Sequence, residues 1–124
     1  MISNYKELLF WQRAHQVILL VIKLCKNLPK DGISVILINQ IIRAAGSVGA
    51  NIAEGYGRYH YKDRIKFYYN ARGSLSESKH WGLFSYERGK INKAKFYSLL
   101  NKQQALHKKL NSYISSCYNY NQQQ

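Results

Sequence analysis

The sequence predicts an all-α protein, an antiparallel up-and-down four-helix bundle. Three observations carry that prediction. One proline and eight glycines in 124 residues are too few turn-formers for an all-β or loop-rich fold. Apolar residues recur at three- and four-residue spacing through four long stretches. Where that spacing stops, the breakers stand: Pro29 with Gly32, Gly55 with Gly57, and Gly89. Loops are expected near 29–32, 56–60 and 88–91. Residues 1–118 make a single domain, large enough for its own core.

The first helix is expected from about Asn4 to Leu28. Asn4 with Glu7 three residues on fits a capping box. Leu8, Trp11, His15, Ile18, Ile22 and Cys25 follow helical spacing and are expected to face inward, His15 as a hydrogen-bonded core histidine. Val17, Leu20, Val21 and Leu24 widen the apolar face, so this helix is deeply buried or meets a second partner surface. The apolar run Val17 to Ile22 is too short to cross a membrane. The start, Asn4-Tyr5-Lys6-Glu7, lacks the basic-then-apolar order of a signal peptide, so a cytoplasmic protein is expected. Cys25 and Cys117 sit at apolar helix positions and read as reduced core thiols.

The second helix is expected from about Ile33 to Gly55. Its centre, QIIRAAGSVGANIAEGYGR at 40–58, sorts into three stripes. Ile41, Ala45, Val48 and Ile52 are apolar. Gly46, Ala50, Ala53 and Gly57 carry almost no side chain. Gln40, Ser47, Asn51, Glu54 and Arg58 are polar. Glycine inside a helix costs roughly 1 kcal/mol against alanine, so Gly46 and Gly49 imply close packing. Gly55 and Gly57 are expected to end the helix, where a positive φ is often needed.

The third helix follows the 56–60 loop and runs to about Arg88. Its start is the most distinctive stretch of the chain, GYGRYHYKDRIKFYYNAR at 55–72. Arg58, Lys62, Arg64, Lys66 and Arg72 alternate there with Tyr56, Tyr59, Tyr61, Phe67, Tyr68 and Tyr69. Cations can neutralise phosphates, and flat aromatic faces can stack on unpaired bases. Ile65, Phe67, Tyr68 and Ala71 are expected to face the core. Further on, Ala71, Ser74, Ser78, Gly82 and Ser85 form a small-residue stripe, expected to pack on that of the second helix. The fourth helix is expected from about Asn92 to Tyr118. Phe96, Leu99, Gln103, Leu106, Leu110, Tyr113 and Cys117 give it a regular inward seam. Lys93, Lys95, Lys102, Lys108 and Lys109 lie mostly outside that seam. The polar tail 119–124 is expected to be disordered.

Charge points to partners. Nineteen Lys and Arg against six Asp and Glu leave +13, and no acid follows Glu87. An AT-rich coding bias toward Lys, Asn, Ile and Tyr accounts for some lysines, but not for the shortage of acids. A polyanion is the expected partner, nucleic acid ahead of an anionic membrane. The segment 58–72 carries no folded RNA-binding module's motif. An acidic protein partner is the alternative.

No catalytic or metal site is expected. Glu77 and His80 make one Glu-x-x-His pair, whereas a di-iron bundle needs two pairs and further glutamates. A phosphate loop is absent, and no Ser–His–Asp or Cys–His set can be nominated. No cofactor is expected. Asn51, Glu54 and Glu77 are read as structural, with the two glutamates near Arg43, Arg58 or Arg72 fixing helix register.

The run RAAGSVGANIAEGYGR at 43–58 resembles the central motif of the 23S rRNA-intervening-sequence proteins, small bacterial four-helix bundles. Tyr5-Lys6-Glu7-Leu8 with Trp11, the Leu28-Pro29 break, ARGSLSE at 71–77 and Gly89-Lys90-Ile91-Asn92 agree with it, so the resemblance covers about residues 5–117. Arg43, Asn51, Glu54, Gly55, Gly57 and Glu77 are the motif positions, read as structural. The family is also similar to the accessory proteins of diversity-generating retroelements, which bind a reverse transcriptase and nucleic acid. The resemblance implies a ring of copies, a homopentamer above all, with structured RNA as a candidate ligand and a reverse transcriptase as a candidate partner.

Overall fold

The structure is a computed structural model that describes residues 4–122. A 3-10 turn, Tyr5–Glu7, leads into four α-helices: α1 (Leu9–Cys25), α2 (Gly32–Tyr56), α3 (Tyr61–Glu87) and α4 (Lys93–Gln122). Consecutive helices pack together, α2 on α3 most extensively, and α4 closes the bundle against α1.

The helix ends follow capping chemistry. Asn4 Oδ1 accepts from the Lys6 N–H at 2.9 Å and so caps the 3-10 turn rather than an α-helix. Leu8 is extended, at φ −71° and ψ 125°, and separates the two. α1 stops at Cys25, short of the expected 28: the Asn27 and Leu28 N–H groups turn back to Leu24 and Cys25 in tight bonds of 3.3 and 3.2 Å. Pro29 enforces this, because the residue before a proline is steered out of the α region. α2 is capped by Asp31, whose Oδ1 accepts from the Ser34 N–H at 2.8 Å. That bond, and the Lys90 ammonium 3.2 Å from Oδ2, hold the Asp31 carboxyl below the usual carboxylate range. Asn92 caps α4 as expected, through the Lys95 N–H at 2.8 Å. Gly89 alone among the described residues has a positive φ, 72°, and it stands where α3 must turn back. No breaker follows it, and α4 runs on to Gln122; the tail expected to be disordered is thus helical over 119–122, while 123–124 lie outside the described residues.

The core corrects the reading of α1. Phe10, Ala14, Val17 and Val21 are buried; Ile22 and His15 are exposed, His15 stacked on Trp11 with ring centroids 5.0 Å apart. α1 is apolar around most of its circumference, so spacing alone did not select the face; its neighbours did. The α4 seam is as expected, with Phe96, Leu99, Gln103, Leu106, Leu110 and Cys117 buried. The one polar member is matched across the interface: Gln103 Nε2 donates to Ser78 Oγ at 3.1 Å. Both cysteines are free thiols, and burial pushes both upward in pKa.

The stripes of α2 are also reassigned. Of its small-residue stripe, Gly46 looks toward Ile18 of α1 rather than α3, as the adjoining Gly49 does toward Trp11, and Ala50 is exposed. The polar stripe lies against α3 instead. A Cβ at Gly46 or Gly49 would make only ordinary contacts, the nearest at 3.9 and 3.5 Å, so close packing does not require those glycines. Gly55 is different. It is helical, its φ is not positive, and a Cβ there would stand 2.7 Å from Tyr68 Cε1 and 3.1 Å from Phe67 Cβ. Its role is steric. Gly57 closes α2 at φ −72°, also without a positive φ. α2 is long and apolar enough to cross a bilayer by length and composition alone. Its polar stripe pairing with α3 is what a core helix shows.

Candidate nucleic-acid interface

The seam between α2 and α3 is a ladder of polar contacts. Arg43 forms an ion pair with Glu77, and its guanidinium also donates to Gln40 Oε1 at 3.0 Å. One step along, the Ser74 hydroxyl meets the Ser47 hydroxyl at 3.1 Å. Asn51 Nδ2 donates back to the Ser47 carbonyl at 2.8 Å and hydroxyl at 3.0 Å. At the far end Glu54 holds Arg58 at 2.6 Å. Glu77 also accepts from Trp81 Nε1 at 3.0 Å. That bond first, and Arg43 second, hold its carboxyl below the usual range. Of these contacts, Arg43 to Glu77 and Ser74 to Ser47 cross from α2 to α3, whereas Asn51 bonds within α2 and Glu54 bonds to the turn that follows it.

Beyond this ladder lies the turn from α2 into α3. Tyr59 projects from it, 87% exposed, edge-on to the His60 ring at 5.0 Å. Lys62 and Lys66 are exposed one helical turn apart, and neither has a partner among the described residues. The arginines are tied in. Arg58 lies over the Phe67 ring at 4.8 Å besides pairing with Glu54. Arg64, half-buried, donates from Nε to the Arg58 carbonyl at 2.6 Å. Arg72 donates to Asn111 Oδ1 at 3.0 Å and lies over Tyr69 at 5.0 Å. The five expected cations thus do not share one face: they spread from the α2 flank of α3 round to its α4 flank. Of the interleaved aromatics, Tyr68 is buried and Phe67 half-buried, as expected of core positions. Phe10, Tyr68 and Tyr113 form a cluster, with Tyr68 edge-on to Phe10 at 5.7 Å and to Tyr113 at 5.2 Å. Among the described aromatics of this segment Tyr59 is the most exposed, while the exposed Tyr69 lies under Arg72.

The α3–α4 seam holds a pair that spacing does not reveal. Lys79 Nζ lies 2.6 Å from His107 Nδ1. Burial, then the charges of Lys79 and Arg72, push the His107 pKa down, so a neutral imidazole accepts from the ammonium. Among the described residues no group of three or more His, Cys, Asp or Glu side chains could hold a metal ion. Glu77 is committed to Arg43 and Trp81, and the exposed His80 packs on Trp81, 4.8 Å between ring centroids.

A family model described as 23S rRNA-intervening sequence protein matches residues 6–112. Among solved structures, the chain is similar to a protein of unknown function from the S23 ribosomal protein family of Bacteroides thetaiotaomicron. The TM-score is 0.80 at 23% identity, over 86% of this chain and 98% of that one, a likeness of fold. No curated protein matches the chain significantly.

Proposed function

The chain belongs to the 23S rRNA-intervening sequence protein family, and from that premise we propose that it is a non-enzymatic accessory protein that binds nucleic acid mainly through phosphates. The observation that carries this reading is the turn into α3, where a bare tyrosine stands among exposed cations on a chain of net charge +13. Lys62, Lys66 and the outer edge of Arg58 are the phosphate contacts; Arg64 and Arg72 position the segment. Tyr59 offers a face on which an unpaired base stacks, a contact worth roughly 1–3 kcal/mol.

The protein acts as a ring of copies, a homopentamer. Leu19 and Ile22 on α1 and Ile33 and Ile36 on α2 are 36–59% exposed, and a neighbouring copy covers them. A ring repeats the positive charge around one axis and concentrates the attraction for a polyanion.

The test is fluorescence anisotropy of the purified protein with single-stranded and duplex RNA and DNA across a salt series. Alongside it run Tyr59→Ala and an Arg58→Ala/Lys62→Ala/Lys66→Ala variant. Each lost contact makes the salt slope shallower by about 0.7 to 0.9, and Tyr59→Ala weakens single-stranded ligands more than duplexes. Weak binding of every ligand by the wild type at physiological salt sinks the reading and points to the alternative, an adaptor docking on an acidic partner such as a reverse transcriptase.

A further inference from the structure

The charge of this protein is segregated by helix. Neither α1 nor α4 contains an acidic residue. Glu54, Asp63, Glu77 and Glu87 all belong to α2 and α3. Because the bundle closes α4 against α1, the two acid-free helices lie side by side.

Two clefts follow one another along the α1–α4 seam. One, of about 170 Å³, is lined by Arg13, Gln16, Asn101, Lys102 and Ala105. The next, of about 230 Å³, is lined by Leu9 and Phe10 from α1 and by Lys109, Ser112, Tyr113 and Ser116 from α4. A water molecule occupies about 30 Å³ in the liquid, so each cleft has room for a phosphodiester group. Lys95, Lys102 and Lys109 are exposed at seven-residue intervals, steps of roughly 10.5 Å along one face of a helix. Arg13 joins them from the other wall. Its Nε is buried and makes no hydrogen bond among the described residues. A buried donor left unmet in this way is unfavourable. An anion in the cleft beside it would offset that cost through the guanidinium charge.

We infer that the α1–α4 groove is a second phosphate-binding track for nucleic acid, with Arg13, Lys102 and Lys109 as its principal contacts and Lys95 extending it. This rests on the nucleic-acid reading above but assigns the work to different residues. Donors set at regular steps along a groove with no acid in either helix suit a repeating, evenly charged backbone. At the α3 start, by contrast, Asp63 and Glu54 interrupt the positive field.

The experiment compares Lys95→Gln/Lys102→Gln/Lys109→Gln with the wild type and with the Arg58/Lys62/Lys66 variant, by anisotropy on a fluorescent single-stranded RNA and its duplex. All three groove lysines are exposed, so circular dichroism should show an unchanged fold; Arg13→Gln is measured separately. The groove variant should lose about 2 to 3 units of salt slope and roughly 50-fold in affinity at 0.15 M salt. If it binds like the wild type while the Arg58/Lys62/Lys66 variant loses affinity, the groove inference falls and the α3 assignment stands. If the groove variant alone loses affinity, the groove stands and the α3 assignment falls. If the wild type binds polyglutamate as tightly as RNA, or binds no nucleic acid, the groove is not a nucleic-acid track.

Discussion

At the scale of single residues, two glycines of one helix should respond with opposite signs. Gly55→Ala drives a methyl group into the buried Tyr68 ring, which is itself wedged against Phe10 and Tyr113. Overpacking of this kind costs about 1–3 kcal/mol. Gly46→Ala meets only Ile18 Cδ1, at an ordinary 3.9 Å, and gains helix propensity of up to about 1 kcal/mol. Urea denaturation of the two variants checks both; equal effects would show that Tyr68 yields freely. The sequence marks both positions as glycine and cannot rank them. What separates them is the side chain opposite, Tyr68 thirteen positions on in one case and a flexible isoleucine tip in the other.

At the scale of paired helices, the α3–α4 seam carries a pH dependence. His107 has a folded pKa below its ordinary 6.5. Between that lowered value and 6.5 the unfolded chain binds more protons than the native one, so stability rises with pH through the window and is fully present above 6.5. His107→Gln should flatten that rise in thermal melts taken from pH 5 to 7.5, while leaving the fall at more acid pH. That lower fall comes from Asp31 and Glu77. Their carboxyls are held below their ordinary values of 3.8 and 4.5, so their contribution is present above those values and lost as pH drops through the folded pKa. On the α2–α3 seam, the Arg43–Glu77 pair is largely exposed. A double-mutant cycle with Arg43→Ala and Glu77→Ala should give a coupling of about 0.2–1 kcal/mol; a value near zero would show that the pair orders the surface without stabilising the bundle. The α4 seam was readable because its apolar residues fill one stripe and its lysines the rest. The inward face of α1 was not, because apolar residues fill most of its circumference and only its neighbours could choose among them.

At the scale of the whole molecule, the exposed aliphatic face of α1 and α2 bears on assembly. Sedimentation velocity at micromolar concentration should show a pentamer of the 14.5 kDa chain. Ile22→Lys with Ile36→Lys should yield monomers with an unchanged helical spectrum, since both side chains are exposed in the single chain. A wild type that sediments as a monomer would end the ring proposal. The charge acts at this scale too. Its sign and size are plain in the composition, but the juxtaposition of the two helices that carry no acid, α1 and α4, exists only once the first and last helices are brought together.

The sequence by itself determined the helices, three of their caps or stops, the α4 core seam and the basic character of the chain. These depend on local periodicity, on glycine and proline at the breaks, and on composition, all of which a linear string records. Tertiary structure alone decided which face of α1 turned inward and which stripe of α2 met α3. It also decided that Arg64 and Arg72 are held by a backbone carbonyl and Asn111, while Lys62 and Lys66 are not. Partners such as Arg72 and Asn111 lie 39 positions apart, and only packing brings such pairs within bonding distance.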